Sequence, residues 1–181
     1  MGAGMIKIAS LPRSGHHWLM NLVQDACKLP CNWHKDLHLD KPGPDCLVAK
    51  THDFDLSEGA VQFVQWRDPV ESLCSWYELG IKHKNWQGGE LHWKRWSIAQ
   101  MQYVAEFYRK WKAVTPDERW IDYNDLRADP DKYVRLIASE IDRPVLRTVG
   151  YSTTEKRCNS DFAYYEFKHF DLLRELFKAL K

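Results

Sequence analysis

Along the chain, apolar positions first alternate with polar ones and then recur every three or four residues. "MIKIASL" (5–11) reads as a strand, and "HWLMNLVQDACKL" (17–29) has the period of a helix. After a polar loop with "KPGP" at 41–44 come two further apolar strands, "DCLVAKTH" (45–52) and "AVQFVQWRD" (60–68). The next helix is signalled by its start: Asp68 as N-cap, Pro69 at the first helical position and Glu71 closing a capping box, with Gly80 near its end.

Residues 83–93, "HKNWQGGELHW", read as an exposed loop whose Trp86 and Trp93, with Trp96 beyond, are candidates for a lid or for ordinary packing. A helix is predicted over 94–113, with Val104, Phe107, Tyr108 and Trp111 on one face. A strand and turn follow at 119–126, a capped helix at 129–141 and a last helix at about 161–180. Strands alternating with helices imply an α/β fold with a central parallel sheet flanked by helices in three layers. No repeat or linker divides the chain, so one domain over 1–181 is expected.

Composition narrows the function. Nine Trp and an apolar fraction of 44% describe a globular chain, and a formal charge of +1 disfavours a general nucleic-acid or anionic-membrane binder. No stretch has the roughly 20 apolar residues of a membrane span, and "MGAGMIKIASL" lacks the features of a signal peptide. The five cysteines form no regular framework, which fits a reducing, cytoplasmic setting. Cys27, Cys31, His34 and His38 lack the long spacer of a zinc finger, and Cys27 shares a helix face with Leu19 and Val23, so no metal site is expected.

In a parallel sheet, ligands bind beyond the carboxyl ends of the strands, and three unusual clusters fall there. In "LPRSGHHWL" the unpaired N–H groups at a helix start, Gly15, the Ser14 hydroxyl and the Arg13 guanidinium suit a phosphate or sulfate group. The loop lacks the Gly-Lys-[ST] of an ATP-binding loop. In "AKTHD", Lys50 and His52 are two apart on a strand and share a face, and a His beside a Lys can serve as general base toward a hydroxyl. In "WRDPVESLCSWY", Arg67 and Ser75 make a second anion clamp, the plainer reading being an Arg67–Asp68 surface pair.

In this order the clusters resemble the PAPS-dependent sulfotransferase superfamily (PAPS is 3′-phosphoadenosine 5′-phosphosulfate). Its phosphosulfate loop, P-K-S-G-T-T-W, is similar to "LPRSGHHWL", its K-[ST]-H to "AKTHD", and its Arg with a Ser eight positions later to Arg67 and Ser75. "YNDLRADP" (123–130) resembles a further segment, and the likeness spans roughly residues 5–141. The resemblance implies a P-loop-like loop after the first strand in which Arg13, Ser14, Gly15, His16 and His17 hold the 5′-phosphosulfate. Trp18 would stack on adenine with Tyr123 at its edge, and Arg67 and Ser75 would bind the 3′-phosphate. His52 would take the proton of the acceptor, while Lys50 and Arg13 neutralise charge on the transferred group, without a metal.

The sequence also departs from the family. Arg13 stands where cytosolic members have Lys, as it does in protein-tyrosine and carbohydrate sulfotransferases, and the two His replace two Thr. The late R-K-G-x-x-G-x-W segment is absent, leaving Thr153, Lys156 and Arg157 of "STTEKRC" as substitutes. The chain is short for the family, so the acceptor pocket is either reduced or completed by a second copy in a homo-oligomer. A small-molecule acceptor is expected. A non-catalytic nucleotide-binding module of the same fold and a small nucleotide kinase are the alternative readings.

Overall fold

The computed structural model describes residues 6–28, 48–51, 61–84, 86, 88–148 and 169–181. It divides the chain into two compact units.

The first unit is a parallel sheet with its helices. Strands β1 (Ile6–Ser10), β2 (Val48–Thr51), β3 (Val61–Trp66) and β4 (Trp120–Asp122) lie in the order β2-β1-β3-β4. Ile6 pairs with Val48 on one side of β1 and with Val61 on the other, and Val64 pairs with Trp120. All five residues of β1 are buried, as a strand with neighbours on both sides requires. Helices α1 (His16–Cys27), α4 (Tyr123–Ala128) and α5 (Pro130–Glu140) belong to this unit. Ile6, Ile8, Phe63 and Ile121 of the strands form a core with Leu19 and Val23 of α1 and with Val134 and Ile137 of α5. The helical period of "HWLMNLVQDACKL" is the row that faces this core, Cys27 included.

Helix starts in this unit follow their caps. Asp129 accepts a hydrogen bond from the Lys132 N–H at 3.1 Å, with Pro130 at the first helical position, as the sequence predicts. The region 119–126 differs from the expectation of a strand followed by a turn. Asp122 accepts from the Asn124 N–H at 2.7 Å, so the strand stops there and Tyr123–Ala128 winds into α4.

The second unit comprises α2 (Pro69–Lys84), α3 (Glu90–Val114) and α6 (Phe170–Leu180), together with Leu11–Arg13. Asp68 caps α2 by accepting from the Glu71 N–H at 3.0 Å. Gly80 does not end this helix. The Trp86 ring packs so closely on it that a Cβ at position 80 would overlap Trp86 Cε3. The expected loop over 83–93 is correspondingly short, because α3 begins at Glu90 and Trp93 is already helical and buried. Around Tyr77, the rings of Trp86, Trp93 and Trp96 stand at centroid distances of 5.8, 5.1 and 5.3 Å, an aromatic core rather than an open lid. On α3, Val104, Phe107 and Trp111 are buried, and Tyr108 meets Phe177 of α6 edge-on. The expected last helix is described only from Phe170 onward.

Candidate functional site

The strand order β2-β1-β3 reverses direction about β1, which makes the carboxyl ends of β1 and β3 a topological switch point. Ser10, which closes β1, pairs with Gln65 near the end of β3. The segment leaving β1 therefore starts beside the end of β3, and it is the segment with the unusual loop.

Gly15 is the N-cap of α1 and sits in the left-handed region at φ 90, ψ 12. Both the Trp18 and Leu19 N–H groups donate to its carbonyl, at 3.0 and 3.2 Å, and start the helix. A Cβ at position 15 would lie 2.6 Å from Tyr123 Cε2, 2.7 Å from Tyr123 Cδ2 and 3.2 Å from Gln65 Nε2. Glycine is thus required twice over, by its φ and by the ring laid against it. Gln65 donates from Nε2 to the Ser14 carbonyl at 3.0 Å. In a planar trans peptide the C=O and the next N–H point in opposite directions, so this bond turns the Gly15 N–H away from Gln65.

Gln65 is completely buried, and its Oε1 finds no hydrogen-bond donor among the described residues. Such an orphan costs about 1–3 kcal/mol, which an apolar residue would avoid. The gain is the fixed Ser14–Gly15 peptide. Sequence reasoning missed Gln65. Its only signal is a polar side chain one residue before the end of β3, a strand that also carries Gln62.

The remaining residues of this cluster are not equivalent. Ser14 and His16 are buried, His17 is exposed, and Trp18 is half-buried. The His16 and His17 rings meet edge-on at 4.2 Å, and the Trp18 ring meets Tyr123 edge-on at 6.3 Å. Tyr123 thus touches both the glycine and the tryptophan of the motif, from a position more than a hundred residues along the chain. Lys50 and Thr51 are the last two residues of β2, paired with Ile8 and Ala9. His52, Thr153, Lys156 and Arg157 lie outside the described residues.

Within the second unit, Arg13, Arg67 and Ser75 come together. Arg13, itself at a left-handed φ of 67, donates from Nε to Ser75 Oγ at 3.1 Å. Arg67 donates from Nη1 to the Arg13 carbonyl at 3.4 Å. Its other edge faces Glu71, with Nε and Nη2 each 3.0 Å from Oε2. Arg67 thus forms an ion pair with Glu71, one helical turn on, and Asp68 caps the helix. Ser75, expected in the second clamp, is engaged by the arginine expected in the first.

A residue such as Arg13, held at positive φ, carries a backbone cost of about 1–3 kcal/mol. It is one of three described non-glycine residues with positive φ, with Lys28 and Asp142. Beside Ser75, burial, reinforced by Glu78 and Asp68, pushes the Cys74 thiol far above its ordinary range, so it is no nucleophile at neutral pH. Among the described residues, no three His, Cys, Asp or Glu side chains gather as a metal site, and no helix is long and apolar enough to cross a membrane.

Comparison of the sequence with protein-family models and with curated proteins finds no match.

Proposed function

We propose that this chain is a PAPS-dependent sulfotransferase: it transfers a sulfuryl group from PAPS to a hydroxyl or amine of a small-molecule acceptor. The reading takes the protein as cytoplasmic, with a three-layer α/β fold and a P-loop-like phosphosulfate loop after β1. The observation that carries it is the start of α1, where Gly15 holds a left-handed φ of 90 against the Tyr123 ring and the helix begins at once, at the switch point of a parallel sheet. A sharp turn that leads N–H groups of a helix start outward suits an anion. The resemblance of "LPRSGHHWL", "AKTHD" and "WRDPVESLCSWY" to the motifs of one superfamily says which anion.

In this reading Ser14, Gly15, His16 and His17 contact the 5′-phosphosulfate through backbone N–H groups and side chains. Gln65 supports them by fixing the Ser14 carbonyl. Trp18 and Tyr123, already in edge contact, hold adenine. Arg67 and Ser75 take the 3′-phosphate, with Thr153, Lys156 and Arg157 as further contacts in place of the absent late segment. His52 accepts the proton as the acceptor oxygen or nitrogen forms its bond to sulfur and the bond from sulfur to the phosphate oxygen breaks. Lys50 and Arg13 neutralise the charge that develops on that oxygen. An arginine does this as a fixed cation and gives up no proton.

Thermal shift with adenosine 3′,5′-bisphosphate tests the reading. The melting temperature is expected to rise with that ligand and to rise less with ATP and Mg²⁺. A preference for ATP with Mg²⁺ would favour a nucleotide kinase instead. Binding of the bisphosphate with no transfer to any acceptor would favour a non-catalytic module.

A further inference from the structure

The best-defined ionic contact near the proposed anion site is one that the sulfotransferase reading leaves unused. Glu71 Oε2 lies 3.0 Å from both Nε and Nη2 of Arg67. This is the side-on edge that a guanidinium offers to a phosphate or carboxylate. The carboxylate of Glu71 therefore occupies the donors that a bound phosphate would use. Glu71 is held there from below, because its own N–H is tied to Asp68 Oδ1 at 3.0 Å.

The two partners differ in how far they are committed. Arg67 has a side-chain exposure of 16% and is also anchored through Nη1 to the Arg13 carbonyl. Glu71 is 41% exposed and can swing into solvent without leaving a buried charge behind. An i,i+4 pair that open to water is weak. The arrangement is thus a fixed cation covered by a removable anion.

We propose that Glu71 is a built-in competitor for the phosphate on Arg67, and so a specificity-determining residue of that site. A single negative charge in the fork is exchanged like for like by a singly charged ligand, which gains little. A phosphate monoester carries close to two charges at neutral pH and three acceptor oxygens. It displaces the carboxylate because it offers more charge and more hydrogen bonds to the same donors. Glu71 thereby lowers affinity for any ligand whose phosphate must displace it from Arg67, and leaves ligands that do not reach Arg67 unaffected. This inference rests on the reading that Arg67 binds the 3′-phosphate of the nucleotide.

The test is isothermal titration of the full chain with adenosine 3′,5′-bisphosphate and with adenosine 5′-phosphate, using wild type, Glu71→Gln, Glu71→Ala and Arg67→Ala. Circular dichroism verifies that each variant folds. Both Glu71 variants are expected to bind the bisphosphate about two- to fivefold more tightly than wild type, the size set by losing one weak, half-exposed ion pair. Affinity for adenosine 5′-phosphate is expected to stay unchanged, which a general loosening of the helix start would not produce. Bisphosphate affinity that is unchanged or reduced in both Glu71 variants, with Arg67→Ala weakened, overturns the inference alone. Failure of all four proteins to bind the bisphosphate overturns the reading beneath it as well.

Discussion

Arg13 and Ser75, 62 residues apart in sequence, are joined by a hydrogen bond of 3.1 Å from Nε to Oγ. Ser75 is buried, so removing its oxygen leaves a guanidinium donor without its acceptor. Ser75→Ala is expected to cost about 0.5–1.5 kcal/mol in urea unfolding. It should also weaken adenosine 3′,5′-bisphosphate more than adenosine 5′-phosphate. Equal losses for the two ligands would assign Ser75 a structural role only.

Gly15 is closed to side chains by two separate effects, its φ of 90 and the Tyr123 ring. The backbone part costs about 1–2 kcal/mol for any L-residue. Gly15→Ala is therefore expected to lower stability by more than that, because the ring clash adds to it. Combining it with Tyr123→Ala should recover the steric part and leave the backbone part. A double-mutant cycle measured by chemical denaturation reads the difference, and strictly additive costs would contradict the contact.

At Gly80 the sign of a substitution should depend on the background. Alanine in a helix interior is favoured over glycine by about 1 kcal/mol, but the Trp86 ring lies where its Cβ would go. Gly80→Ala is expected to destabilise the wild-type chain and to stabilise a Trp86→Ala chain. Thermal melts of the four proteins check this, and stabilisation in both backgrounds would show that the ring is not seated on position 80.

Cys74, Tyr77 and Tyr133 all keep their protons more tightly in the folded protein, mainly because burial disfavours their charged forms. In alkali the unfolded chain releases these protons before the folded one does. The unfolded state then binds fewer protons, so stability falls as pH rises through the ordinary thiol and phenol range. Urea unfolding at increasing pH should show this decline, and Cys74→Ala should flatten it. A thiol reagent at neutral pH is expected to spare Cys74 until the chain unfolds, and rapid native labelling at that site would contradict its burial.

Much of the first unit was legible in the sequence. The helical period of residues 17–29 and the Asp129–Pro130 start are local signals, and both elements formed as those signals predict. The short helix after Asp122 was not, because a carboxylate that caps also reads as the end of a strand. The loop expected over 83–93 shrank for a tertiary reason. Trp86 is drawn onto Gly80, and Gly-Gly then serves only to lead into α3. Sequence order singled out Gly15, which starts α1 in the first unit, and Arg13, Arg67 and Ser75, which meet in the second. It could not show that Tyr123 covers Gly15, that Gln65 holds the Ser14 carbonyl or that Glu71 sits on Arg67. The first two depend on strand register and long-range packing, which no single stretch of sequence encodes, and the third on which rotamer an i,i+4 pair adopts.

The most direct test of the central claim is transfer of a labelled sulfuryl group from PAPS to a panel of phenols, alcohols and amines, run with wild type and His52→Ala. Wild type is expected to yield a sulfated product and adenosine 3′,5′-bisphosphate in equal amounts. His52→Ala is expected to bind the nucleotide and form no product. No transfer by wild type to any acceptor, or full activity in His52→Ala, would contradict the account.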